Sequence, residues 1–340
     1  MDFGIFSMFT TRVGDTQAQT FKEWLDLVQL ADEVGLDTFW FGESHFRPER
    51  AVLASPLIGA SAAAARTRRI RIGLAVQVLP LAHPLTVAEE AAIVDHVSEG
   101  RFVFGVGRSS FLESYQGYNI DYAESRDRFE ESLEIILKAW GDAPFSHEGR
   151  YHRFHDVNLV PKPYQKPHPP VRIAVESVES FARMGRWGFP IFMRHQMPIP
   201  QLQDLLEQYR RAREAAGFFG PNDVILQIPA YVADSAERAR SDPEASMLHR
   251  LKLVQRSLGK AADQEAFERL SRLSSAGYDD VLKRAAFGTP EAVIERLQQY
   301  REELGLSGVS LEMNPGGQLP HRLVVNSIRL LAEKVIPKLK

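Results

Sequence analysis

Residues 70–107, IRIGLAVQVLPLAHPLTVAEEAAIVDHVSEGRFVFGVG, hold the repeating unit of this chain. The nearly continuous apolar run Ile70–Leu79 has the length and β-branched content of a strand buried on both faces. Thr86–Val97 follows with helical spacing, Gly100 stands where a left-handed residue closes a helix, and Phe102–Gly107 is a second apolar strand. Strand, helix and strand in that order form the unit of a parallel sheet. The same alternation runs on in both directions. Further strand-length runs are Phe3–Met8, Thr38–Gly42, Val171–Val175, Pro190–Met193, Val224–Ala233 and Gly308–Met313. Helix-period segments are Thr20–Val34, Pro56–Arg66, Ala123–Trp140, Ser177–Trp187, Pro200–Ala216, Pro290–Leu304 and His321–Lys338. Eight strands alternating with eight helices predict one (β/α)8 TIM barrel over residues 1–340, closed by the last strand against the first, in preference to an open doubly wound sheet.

Two stretches interrupt the rhythm. Pro144–Pro170, after the fourth helix, is rich in Pro, His, Tyr and Arg. Ala233–Gly288, after the seventh strand, is charged and helical, and reads equally as helices packed outside the barrel or as a lid over its mouth. Composition excludes several classes. With 44% hydrophobic and 25% charged residues the chain is globular, not disordered. The absence of cysteine removes disulfides, thiolate metal sites and cysteine nucleophiles. A net charge of −3 gives no electrostatic reason for a nucleic-acid partner. Met1–Phe6 has no basic region of a signal peptide, and Ala51–Ala65 is too short to span a bilayer, so a cytoplasmic protein without membrane association is expected. His147, His152 and His155 match no ligand spacing, so no metal is expected.

In such barrels chemistry sits at the C-terminal ends of the strands and the opposite face serves stability. Asp95–Arg101 lies on the stability face, where Arg101 is expected to pair with Asp95 or a carbonyl and His96 to be structural. Gly105-Val106-Gly107-Arg108-Ser109-Ser110 leaves a strand on the functional face. It lacks the third glycine of a dinucleotide fingerprint. Its glycines would let backbone approach a ligand, and Arg108 is either a phosphate-binding fork or a rim salt bridge. Val175-Glu176-Ser177 enters a helix with Ser177 at its N-cap and Ser180 in its first turn. Hydroxyls, free N–H groups and the helix dipole there favour an anion, and with Arg108 they would suit a phosphate. The second strand ends in Phe41-Gly42-Glu43-Ser44-His45-Phe46, which makes Glu43 and His45 acid–base candidates.

Phe39–Phe46, Ile72–Pro84, Asp95–Arg108 and Val175–Ser177, together with Gly288-Thr289-Pro290-Glu291 and Val335-Ile336-Pro337, resemble the bacterial luciferase-like flavin-dependent monooxygenase family, in order and over nearly the whole chain. The resemblance implies a barrel that binds reduced FMN supplied by a separate flavin reductase. With O2 it oxidises a small organic substrate such as an aldehyde or ketone. It implies phosphate contacts from Arg108, Ser177 and Ser180, a non-proline cis bond at Ala75–Val76 where the third strand bulges beneath the flavin, and acidic groups Glu43 and Glu176 nearby. It also implies a homodimer, for which the small-residue helix Pro56–Arg66 offers close contact. Two positions depart from the family. Ser44 replaces a histidine implicated in luciferase catalysis, which leaves His45 as the catalytic candidate, and Gly107 replaces a reactive cysteine. Both argue against light emission. Alternatives are a deazaflavin-dependent hydride transferase on the same barrel, a non-catalytic flavin-binding protein, and a barrel lyase or isomerase acting on a phosphorylated substrate.

Overall fold

The computed structural model describes residues 1–261 and 263–340; residue 262, inside the second excursion, lies outside the described residues. Eight strands form the barrel: β1 (Asp2–Ser7), β2 (Thr38–Phe41), β3 (Arg71–Leu74), β4 (Phe102–Gly107), β5 (Val171–Val175), β6 (Ile191–Arg194), β7 (Val224–Val232) and β8 (Gly308–Glu312). All neighbours pair in parallel, and β8 hydrogen-bonds both β7 and β1, which closes the cylinder. The outer helices are α1 (Gln17–Glu33), α2 (Pro56–Ala64), α3 (Pro84–Val97), α4 (Ser125–Ala139), α5 (Val178–Trp187), α6 (Ile199–Ala215), α7 (Pro290–Leu304) and α8 (His321–Leu330). No described helix is long and apolar enough to cross a membrane.

Strand alternation divides the apolar residues between two cores. Phe39 and Phe41 face the helices and join the large sleeve between sheet and helices, whereas Trp40 turns inward to Phe6, Val103, Phe192 and Ile225. The indole fills the barrel because the residues across from it have no side chain. A Cβ on Gly4 or Gly73 would come within 2.4 Å of Trp40.

The apolar run Ile70–Leu79 breaks where the family resemblance implies a bulge and a non-proline cis bond. It stops at Leu74, passes the Ala75–Val76 cis peptide, and resumes as Gln77–Val78 against Val106–Gly107. This bulge also corrects the reading of the strand β4 glycines. A Cβ on Gly105 would lie 1.7 Å from the Leu74 carbonyl oxygen, and one on Gly107 would lie 2.7 Å from Val76 Cγ2. Those glycines make room for the neighbouring strand before they make room for any ligand.

On the stability face Gly100 has a φ of +79°. Arg101 donates to the Ala64, Thr67 and Ile70 carbonyls, while Asp95 accepts from Gln165. Of the two partners considered for Arg101, the carbonyls hold. His96 bonds the Lys162 carbonyl at 2.9 Å.

The first excursion is an antiparallel hairpin, Phe145–Glu148 with Arg153–Val157. The second carries helices Ala236–Ser241, Glu244–Ser257, Gln264–Ser275 and Tyr278–Leu282. It lies over the mouth of the barrel, where Met247, Leu251 and Leu270 line the central cavity. Arg47 to Ser257 (2.6 Å), Lys260 to Glu113 (3.0 Å) and Arg269 to Ser110 (2.9 Å) tie it to the rim.

Candidate active site

A cavity of about 280 Å³ opens at the C-terminal ends of the strands. Arg108 enters it just beyond strand β4, on a turn where Ser109 takes a φ of +60°. Its Nη1 donates to the Ser125 hydroxyl at 3.1 Å, and the Tyr115 hydroxyl donates to its carbonyl. No described carboxylate lies within 4.0 Å of this guanidinium, so the rim salt bridge does not form.

Beyond the neighbouring strand β5, Ser177 occupies the N-cap position of helix α5, yet its hydroxyl makes no capping bond. The capping expectation is right in position and wrong in partner. The Ser180 hydroxyl turns back to the Ser177 carbonyl at 2.5 Å. Val178 N–H donates at 3.2 Å to a carboxylate from the overlying excursion, that of Glu265. An anionic group thus already sits at this helix N-terminus, as the dipole favours.

Glu176, at the end of strand β5, points inward between Arg269 (3.3 Å) and Arg194 (3.7 Å). Burial pushes its carboxyl up, but Arg269 and Arg194 outweigh burial and hold it below the ordinary carboxylate range. Glu43 has the opposite balance. It is enclosed, and burial raises its pKa against the favourable bonds from His45 Nε2 (2.6 Å) and Val78 N–H (2.9 Å).

The catalytic candidate His45 stands behind Glu43, only 7% exposed, and is not among the residues that line the cavity. The Tyr118 ring meets it edge-on at 5.1 Å, with the hydroxyl 3.2 Å from Nδ1. This network assigns Nδ1 as acceptor from Tyr118 and Nε2–H as donor to Glu43. Phe46, directly afterwards, takes a φ of +57°. Ser44 is also buried, and its hydroxyl has no partner.

Ala75, Val76, Arg108, Glu176, Ser177 and Ser180 all line the one cavity. Residue-level reading missed others. Arg194 and Gln227 are legible in hindsight, because strand alternation turns them inward with Phe192 and Ile225. The Gln227 Nε2 is buried without a partner. His195 Nδ1 is equally unpartnered, and burial, with the Arg284 charge, pushes its pKa down to about 4. Arg50, Arg250 and Arg269 come from loops and the excursion, where no periodicity marks them. Among the described residues no group of three His, Cys, Asp or Glu is placed to hold a metal ion.

The chain is similar to known proteins along its whole length. It is 27% identical to limonene 1,2-monooxygenase of Rhodococcus erythropolis over 342 residues, 99% of this chain and 86% of that protein. It is 26% identical to the oxygenase component of flavin-dependent trigonelline monooxygenase from Acinetobacter baylyi, over 98% of this chain and 94% of that protein. The oxygenating constituent of 3,6-diketocamphane monooxygenase from Pseudomonas putida, solved with FMN, shares the fold with a TM-score of 0.86 at 21% identity, over 99% of both chains. Residues 1–307 match the family model of luciferase-like monooxygenases, and the chain belongs to that family.

Proposed function

We propose that this protein is the oxygenase component of a two-component system. It takes reduced FMN from a separate flavin reductase and uses O2 to place one oxygen atom in a small organic substrate, such as an aldehyde or ketone. The observation that carries this reading is Arg108, a guanidinium with no described carboxylate within 4.0 Å, which lines the same cavity as Ser177 and Ser180 at the helix α5 N-terminus. That donor set suits a phosphate. Arg108 and Ser177 would hold it, with Ser180 in the first turn beside them. Ala75 and Val76 would flank the flavin ring, with Glu176 alongside. When bound, reduced FMN supplies the electrons that reduce the second oxygen atom to water.

The chain's own contribution is enclosure and proton placement. The excursion helices place Met247, Leu251 and Leu270 on the cavity wall, an apolar cover that would limit water there. Glu43, its carboxyl raised by burial, can hold or release a proton at the cavity wall, and His45 orients it. The names of the Acinetobacter and Pseudomonas relatives support the cofactor and the reductase. Anaerobic titration with reduced FMN is expected to saturate one site per chain. Admission of O2 should then give an absorbance transient before oxidised flavin appears. Preference for a deazaflavin over FMN, or turnover without flavin, would overturn this reading.

We also propose a homodimer through helices α2 and α3. Of the small-residue run on helix α2, Gly59, Ala60, Ala63 and Ala64 pack inward onto the barrel, while Ala62 and Ala65 stay exposed and Ser61 half-buried. The outward face also presents Ile58 (69% exposed), Ile93 (46%) and Val97 (39%). Light scattering at micromolar concentration should report twice 38.3 kDa, and a monomer there removes the proposal.

A further inference from the structure

We propose that the substrate oxidised in this cavity is an organic acid, whose carboxylate pairs with Arg50 in a cluster with Arg194 and Arg250. The inference rests on the flavin reading above and adds the class of substrate.

Arg50 stands in the loop after strand β2, where its carbonyl accepts a 2.6 Å bond from the Thr10 hydroxyl. Its guanidinium carbon lies 4.6 Å from the centre of the Phe111 ring, and Arg47 lies 4.3 Å from the same ring. The Arg50 Nε is buried without a partner. No described carboxylate comes within 4.0 Å of its guanidinium, whereas the other members of the cluster are paired. Arg194 and Arg269 share Glu176, and Arg250 takes Glu312. Within this cluster four guanidiniums, those of Arg50, Arg194, Arg250 and Arg269, therefore share the two carboxylates of Glu176 and Glu312.

Such a surplus is costly in an enclosed space unless an anion answers it. The strain registers on Arg50 itself, whose pKa is pushed down to about 9 by burial and by repulsion from Arg194, Arg47 and Arg250. In the flavin reading the phosphate of FMN goes to Arg108 and the helix α5 N-terminus, built on strands β4 and β5, and so leaves the charge of this cluster unanswered. The cluster rises from the loop after strand β2, the end of strand β6 and the excursion helix Glu244–Ser257. Phe6, Met8, Phe111, Met247 and Leu251 line the same cavity and give an apolar bed. An apolar body with one carboxylate satisfies both features. The planar, permanently charged fork of arginine suits that group.

The test compares each carboxylate with its neutral amide: benzoate with benzamide, and octanoate with octanamide. Dissociation constants are measured by calorimetry at pH 7, with and without FMN, on wild type, Arg50→Met and Arg50→Lys. At least one carboxylate is expected to bind wild type about tenfold or more tightly than its amide. Arg50→Met should abolish the preference, Arg50→Lys should retain part of it, and FMN affinity should not change in either. Equal binding of acid and amide, no binding of either acid, or a preference that survives in Arg50→Met overturns the proposal. So does a loss of FMN affinity in Arg50→Met as large as the loss of carboxylate affinity, which would assign the cluster to the flavin. Failure of wild type to hold FMN strikes the flavin reading instead, and the acid–amide comparison on the free protein still decides the role of Arg50.

Discussion

Arg108→Ala is expected to lower FMN affinity by about one to two decades and to leave riboflavin, which has no phosphate, nearly unaffected. The size follows from what the guanidinium lacks. Its hydrogen bond goes to the neutral Ser125 hydroxyl, and no described carboxylate neutralises it, so a phosphate would be its strong partner. A charge-assisted, partly enclosed contact of this kind is worth about 1.5–3 kcal/mol. Ser177→Ala should act in the same direction with a smaller loss, since its hydroxyl is neutral and makes no capping bond that truncation would break. The Glu265 carboxylate at Val178 N–H would have to give way to the phosphate. Glu265→Gln should therefore tighten FMN modestly if the two anions compete. Equal losses of FMN and riboflavin in Arg108→Ala would mean that the residue braces the rim through Ser125.

The second large effect concerns Glu43 and His45. Glu43→Gln is expected to slow substrate oxidation by about 10²-fold at saturating flavin, the usual scale for a lost acid–base group. His45 does not line the cavity but bonds Glu43, so its expected effect is that of a positioning residue acting through Glu43. The sign of its effect can be worked out. Burial already raises the Glu43 pKa, and the 2.6 Å bond from His45 favours the carboxylate and opposes that rise. His45→Ala removes the opposing contribution, so the Glu43 pKa climbs further and less carboxylate is present near neutral pH. Where Glu43 serves as the base, the acid limb of the rate–pH profile moves to higher pH, and raising the pH restores much of the rate. His45→Gln, which keeps an N–H donor, should fall between the two. A lower melting temperature with an unmoved pH profile would leave His45 a purely structural support of its loop, bonded to Tyr118.

The barrel was legible because its signals are local. Strand-length apolar runs, helical spacing and the turn at Gly100 each occupy a few consecutive residues, and their order dictates a closed parallel sheet. Strand-end placement then puts Arg108, Glu176 and Ser177 on the mouth without any knowledge of side-chain contacts. Where the rhythm itself breaks, local reading becomes coarse. Periodicity alone runs Ile70–Leu79 together as one strand; the break at Ala75–Val76, packed against Gly105 and Gly107, was implied only by the family resemblance.

The sequence by itself thus determined the architecture and the end of the barrel at which Arg108, Glu176 and Ser177 stand, because periodicity and strand polarity carry them. Tertiary structure alone decided which way each loop side chain turns. His45 is held behind Glu43 by Tyr118, from the far side of the Leu112–Gly117 helix. Arg50 faces Arg194 and Arg250 only because three separated segments converge over the mouth. Loop conformation is set by such distant contacts and leaves no periodic trace in the chain, so the residues that distinguish this cavity from others on the same barrel become visible only once it is folded.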